Sequence, residues 1–447
     1  MYTPHTAQDL KKMLDLLKIE SIEELYKEIP KKVRLDTRTW DFPEGKSESE
    51  ALRILKDFEA KNLNLTTFIG LGVYDHEIPS AVWALAGKAE FVTSYTPYQA
   101  EASQGMLQAI FEYQSMIAEI TGMDVANASV YDGATALAEA MIMAVGDKRK
   151  YKIAVSMGVN PLYREVLATY AKAIGIEIVW LPLKNGQTDF LMEIEGEVSA
   201  YIMQQPNFLG FVEDTNAFRI KKEQANSLGV VSINPILNTV LRKPVLYGAD
   251  IVCGEGQSLG IPINSGGPLL GFMATTRKLM RKLPGRIVGM TTDQDGKTAF
   301  VLTLQAREQH IRREKASSNI CTNQALNALA ATVYISLLGP KGLKEVAQSS
   351  INNTHYLAQE LEAIGVEICR LNPFLMEFPV KIPQDKIGFL RETLLSRGFT
   401  PPINLGEFKS ECKESQDLTD MYLLCATEKR TKAEIDAFVA VWREIYA

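Results

Sequence analysis

The sequence predicts an α/β fold: a large domain on a mostly parallel sheet, followed by a small α+β domain at the carboxy-terminal end. Two observations carry this. Between residues 151 and 274, apolar strand-like runs alternate with helical stretches of roughly ten to fifteen residues, the pattern of βαβ units with helices on both faces of a sheet. Beyond residue 325 the pattern changes to long helices with short strands between them.

The elements follow in order. Residues 1–62 read as three short, charged, amphipathic helices. Leu10, Met13, Leu14 and Leu17 recur at helical spacing, as do Ile22, Leu25 and Ile29, with Pro30 as a stop and residues 48–62 as the third stretch. Such an arm packs on another surface or caps the chain's own core. Strands are expected at 151–156, 176–183, 198–203, 230–233, 250–253 and 269–274. Helix 161–174 opens on a first-turn proline and ends at Gly175, and helix 215–228 is expected to end at Gly229. Helix 325–338 is broken by Gly339, Pro340 and Gly342, and a second helix runs to about 364. Strands 366–370, 375–380 and 422–426 with helices 384–397 and 432–446 complete the small domain. The expected boundaries are 1–68, 69–335 and 336–447, in line with about 150 residues per domain.

Composition excludes several classes. The chain has 447 residues, 46% hydrophobic and 23% charged, which is globular and not disordered. A net charge of −6 argues against a nucleic-acid surface. The longest apolar run, 328–339, is 12 residues, short of the ~20 that span a bilayer. The first thirty residues carry six acids, unlike a secretory or transit segment. Five scattered cysteines (253, 321, 369, 412 and 425) read as thiols in a reducing compartment. A cytoplasmic protein is expected.

Familiar motifs fail. In Gly254-Glu-Gly-Gln-Ser-Leu-Gly260 the glycine needed at the sixth place is Leu259, so a dinucleotide site is not supported. Gly296-Lys297-Thr298 lacks the earlier phosphate-loop glycine. His5, His76, His310 and His355 have no partners at metal-ligand spacing, and no GxSxG elbow occurs. Arg312, Arg313 and Lys315 read as a solvated helix face.

Two segments stand out. Residues 94–104 (Ser-Tyr-Thr-Pro-Tyr-Gln-Ala-Glu-Ala-Ser-Gln) crowd two tyrosines, two amides, a carboxylate and three hydroxyls ahead of a helix at 105–121. Residues 132–139 form a polar turn opening an alanine-rich helix. The free N–H groups of such a helix start can hold an anion.

These segments, Tyr95-Thr-Pro-Tyr-Gln99 and Ala126-Asn-Ala-Ser-Val-Tyr-Asp-Gly133, resemble the glycine cleavage system P-protein. So do Gly70-Leu-Gly-Val-Tyr-Asp-His76 with Pro79, and residues 307–322. The resemblance runs from Tyr2 to near the C-terminus and is closest to the amino-terminal half of that protein, which in many prokaryotes is a separate chain. It implies the aspartate-aminotransferase-like type I fold of pyridoxal-phosphate (PLP) enzymes. It also implies an activity: glycine is decarboxylated and its aminomethyl group passes to the lipoyl arm of H-protein.

The resemblance further assigns this chain's share. The catalytic half of the family carries its PLP lysine shortly before an Ile-Pro pair and a run of glycines. Aligned on Ile261-Pro262 and Gly266-Gly267, that place is Gln257, and there is no lysine from 244 to 277. An amide does not form the Schiff base. Asn234 stands where that half has an aspartate for the pyridine nitrogen. Lys243 and Lys278 lie outside the loop and are expected to face solvent. The chain is therefore expected to bind no PLP covalently and to complete the active site of a PLP-bearing partner subunit. Tyr95, Tyr98 and Glu101 are the candidate catalytic contributions. Gln104, Ser317, Asn319 and Thr322 are the candidate contacts to the partner's PLP or substrate. The rival expectations are a non-catalytic scaffold and a self-sufficient type I enzyme with an unusual lysine.

Overall fold

The computed structural model describes residues 5–35, 41–305, 308–316, 318–408, 411–413 and 415–446. The chain packs as two units, residues 1–63 and 64–447.

The first unit holds helices α1 (Ala7–Leu17) and α2 (Glu48–Glu59), each opened by a capping box, Thr6 with Asp9 and Ser47 with Glu50. Neither helix has a buried residue. The expected second helix is only a 3₁₀ turn, Ile22–Tyr26.

The second unit begins with α3 (Ser80–Ala86), α4 (Gln104–Thr121), β1 (Val125–Ala126), α5 (Gly133–Lys148), β2 (Lys152–Ser156), α6 (Pro161–Ile174) and β3 (Glu177–Leu181). A small hairpin follows, β4 (Leu183–Lys184) with β5 (Gln187–Thr188), then β6 (Ala200–Gln205), α7 (Thr215–Gln224), β7 (Leu228–Ile233), β8 (Ile251–Glu255) and β9 (Gly271–Thr275). The main sheet runs β1-β9-β8-β7-β6-β2-β3. The five strands β8, β7, β6, β2 and β3 are mutually parallel, and β9 and β1 join antiparallel.

Both faces of this sheet are covered, which is why its strands read as apolar runs without alternation. Ile153, Val155, Ile202, Val230 and Ile251 face α5 and its neighbours, whereas Ala154, Met203, Val231, Val252 and Phe272 face α3, α4 and the long helix α9 (Ala325–Ala363). Between β9 and α9 lie the hairpin β10 (Ile287–Thr292) and β11 (Thr298–Thr303) and the short α8 (Gln309–Arg312). The remaining elements are β12 (Glu367–Ile368), β13 (Glu377–Lys381), α10 (Gln384–Ser396), β14 (Ile403–Asn404), β15 (Met421–Cys425) and α11 (Lys432–Tyr446). Their antiparallel sheet, ordered β12-β13-β15-β14, buries Phe378, Leu423, Phe438 and Trp442.

Several expectations shift. Helix 215–228 stops at Gln224, and Gly229 is not its terminator but a residue of β7. The terminal turn is made by Asn226 at φ 47°, a conformation asparagine tolerates. A Cβ on Gly229 would lie 2.9 Å from the Gly248 carbonyl and 3.0 Å from the Phe218 ring, so close packing explains that glycine. The break in α9 is present: Gly339 sits at φ 60°, ψ −178°, just before Pro340. Residues 64–68 fall with the second unit, because Thr66 pairs with the backbone at Gly398 and Thr400, and Phe68 is buried on Phe438.

Candidate functional site

The carboxyl ends of β6, β7 and β8 present Gln204, Ser232, Asn234 and Glu255 to a cavity of about 30 Å³, lined also by Tyr74, Asn160, Tyr163 and Glu377. Glu255 ends β8 and accepts hydrogen bonds from the backbone N–H groups of Gly133 (2.9 Å), Gln257 (2.9 Å) and Leu270 (2.8 Å). The first of these is the start of α5, and two residues on the Thr135 N–H donates to the Asp132 carboxylate at 2.7 Å. Two of the free N–H groups at this helix start are thus met by the protein's own carboxylates. Glu377 accepts from Leu71 N–H and from the Tyr74 hydroxyl at 2.8 Å. Burial pushes both carboxyls, Glu255 and Glu377, up to about 7.

Gln257 is buried and fully engaged. Its Oε1 accepts from Tyr74 N–H at 2.9 Å, and its Nε2 donates to the carbonyls of Tyr74 (3.0 Å) and Ile261 (2.7 Å). The segment at 70–76 is thereby pinned between Gln257 and Glu377. Asn234 caps the turn after β7, accepting from Ile236 and Leu237 N–H. Lys243 lies at the surface paired with Glu119 at 2.7 Å, and Lys278 is exposed.

A second constellation gathers around Arg286, at the start of the β10–β11 hairpin. Arg286 is 6% exposed. Its Nη1 donates to Asn323 Oδ1 at 3.1 Å, and its Nη2 donates to the Cys321 carbonyl. The same Nη2 lies 3.5 Å from the Tyr98 hydroxyl, and the guanidinium sits 5.7 Å from the Tyr98 ring centroid. Asn323 in turn donates to the Ala128 carbonyl (3.0 Å) and to Ser129 Oγ (2.9 Å). Segments 94–104 and 318–324 meet at this side chain, and 126–133 joins them through Asn323 and the Arg286 carbonyl.

The candidate residues fall unequally around it. Tyr98 is half exposed and touches Arg286, whereas Tyr95 is 85% exposed. Glu101 and Asn319 are exposed, and Thr322 is half-buried. The Gln104 amide is committed to β11: it donates to Phe300 O at 2.8 Å and accepts from Phe300 N–H at 2.9 Å. Ser317 lies outside the described residues. Sequence reasoning missed Arg286 and Asn323. Asn323 directly follows the 307–322 motif, but no local pattern marks Arg286.

Among the described residues no group of three His, Cys, Asp or Glu is placed to hold a metal. No helix among them is long and apolar enough to cross a membrane. Cys253, Cys369, Cys412 and Cys425 are buried and Cys321 is exposed, none in a disulfide. Arg312, Arg313 and Lys315 are exposed.

Comparison with known proteins agrees with the motifs. The family model of the glycine cleavage system P-protein matches residues 1–442. The probable glycine dehydrogenase (decarboxylating) subunit 1 of Moorella thermoacetica is 48% identical, with 100% of each chain covered. A crystal structure of the glycine decarboxylase (P-protein) of the glycine cleavage system, in inhibitor-bound form, superposes with a TM-score of 0.89 at 41% identity over 100% of both chains. Lactobacillus brevis glutamate decarboxylase superposes at TM-score 0.67 and 12% identity, covering 92% of this chain and 96% of its own, which bears on the fold alone. The fold is that of the type I PLP enzymes, and with the family model matched over residues 1–442 and a relative 48% identical over its whole length, the chain belongs to the glycine cleavage system P-protein family.

Proposed function

We propose that this chain is the cofactor-free half of a two-chain glycine dehydrogenase (decarboxylating), working in the cytoplasm. A second, PLP-bearing subunit carries the lysine, decarboxylates glycine and passes the aminomethyl group to the lipoyl group of H-protein. This chain completes that subunit's site with the loops around Tyr98 and Asn319.

The observation that carries the reading is the state of position 257. Its side chain is an amide with both ends hydrogen-bonded to backbone, and an amide nitrogen is not a nucleophile toward an aldehyde. PLP does not fit the strand-end cavity. A volume of about 30 Å³ holds a water or two, and the α5 start already meets the carboxylates of Glu255 and Asp132. Five cysteines, none in a disulfide, suit a reducing compartment.

Borohydride reduction of the purified chain with PLP, followed by mass spectrometry, tests the cofactor assignment. The expected result is no adduct, and an adduct on any lysine overturns it. Co-expression with the PLP-bearing subunit tests the rest. The complex should turn over glycine, and Tyr98→Phe or Asn319→Ala should each lower its rate at least about tenfold, the ~1.4 kcal/mol of one modest transition-state contact. Wild-type rates for both would remove these loops from the active site.

A further inference from the structure

We infer that Arg286 is a positioning residue for this reaction: it fixes the Tyr98 loop and the 321–324 segment in a single relative geometry. The inference deepens the functional reading above and rests on it.

Arg286 is itself held firmly. Its carbonyl accepts from Ala128 N–H at 2.8 Å. The hairpin that follows is clamped by Gln114, whose amide donates to Val288 O at 3.0 Å and accepts from Val288 N–H at 2.9 Å. From that fixed base the guanidinium reaches two ways, to Asn323 and Cys321 on one side and to the ring and hydroxyl of Tyr98 on the other. Its partners are an amide, a carbonyl and a phenol, so the planar fork sets geometry between neutral groups. Both segments it joins lack regular structure where they meet it: Tyr98 precedes α4, and 321–324 is the non-helical lead into α9. The 321–324 segment is also held on Ala128 and Ser129, and Gln104 ties the end of the Tyr98 loop to β11; the guanidinium adds a direct link between the two. A lysine here would keep the charge, but its single nitrogen lacks the planar fork that sets Nη1 on Asn323 and Nη2 on Cys321 and Tyr98 at a fixed spacing.

The test uses the co-expressed complex. Arg286→Lys should assemble at wild-type size and lower kcat at least about tenfold, with a smaller change in the glycine KM. It should also alter the partner's aldimine absorbance on glycine addition. Tyr98→Phe placed on Arg286→Lys should add little beyond the worse single variant, because coupled residues are non-additive. If Arg286→Lys does not assemble, Asn323→Ala removes the Nη1 bond while leaving the arginine and its bond to the Cys321 carbonyl, and a fall in kcat in the same direction is expected. An assembled Arg286→Lys complex with a lower melting temperature but full kcat makes the residue a structural brace and overturns the inference, as does full kcat in Asn323→Ala. A wild-type complex that does not turn over glycine overturns the functional reading and this inference with it.

Discussion

At position 257 an amide does structural work that an amine cannot. Three hydrogen bonds tie Gln257 to Tyr74 and Ile261, so the side chain holds in place the backbone of Tyr74, which lines the strand-end cavity. Gln257→Lys in the isolated chain is therefore expected to yield no aldimine absorbance with PLP. The new amine would stand behind the Tyr74 backbone that Gln257 now holds, and not on the lining of the strand-end cavity. The variant should also be less stable, by roughly 1–3 kcal/mol for each buried polar group left without a partner. A new aldimine band would mean that the missing lysine, and not the closed cavity, is what bars the cofactor. The missing lysine was legible in the sequence because it is a plain count over one loop. The closed cavity was not, since Glu255 and Glu377 come to it from β8 and β13 and Tyr74 from a segment 183 residues before Gln257. Arg286 was illegible for the same reason: its bonds reach 35 and 37 residues one way and 188 the other.

At the level of elements, periodicity marked what is buried on both sides. The parallel strands and the capped helices α5 and α6 lie close to their expected places, because continuous apolar runs, first-turn proline and terminal glycine act locally. The β10–β11 hairpin escaped notice, since it is largely half-buried or exposed and its apolar run in β11, Ala299 to Leu302, is only four residues long. Gly229 shows the opposite failure. It carries the sequence signature of a helix stop but serves a tertiary contact, with the Gly248 carbonyl and the Phe218 ring against its Cα. Gly229→Ala is expected to cost about 1–3 kcal/mol by overpacking the α7–β7 junction. Urea unfolding of the isolated chain would register this as a lower midpoint at unchanged slope. A helix-terminating glycine with no such neighbours would predict a far smaller loss, so an unchanged midpoint would restore the first reading.

Across the whole molecule, the chain is rich in buried acids. Burial pushes Glu139, Glu213, Glu255 and Glu377 up to about 7, from an ordinary value of 4.5. Two of the four line the closed cavity. Between 4.5 and 7 the folded chain binds more protons than the unfolded one, so the linkage slope is negative and stability falls as pH rises. This contribution is complete below about pH 4.5 and is lost as pH climbs through 7. Carboxylates such as Asp189 and Glu434, held below their ordinary values by hydrogen bonds and nearby lysine or arginine, act in the opposite sense, but only at more acidic pH. The urea midpoint of the isolated chain should therefore decline from about pH 5 to about pH 8, by ~1 kcal/mol or more in stability. Glu377→Gln, neutral throughout, should flatten that decline while keeping the side chain's shape. A midpoint that rises over the same interval would mean the backbone N–H groups around Glu255 and Glu377 outweigh burial and hold these acids ionised, and the closed cavity would then be a charged one.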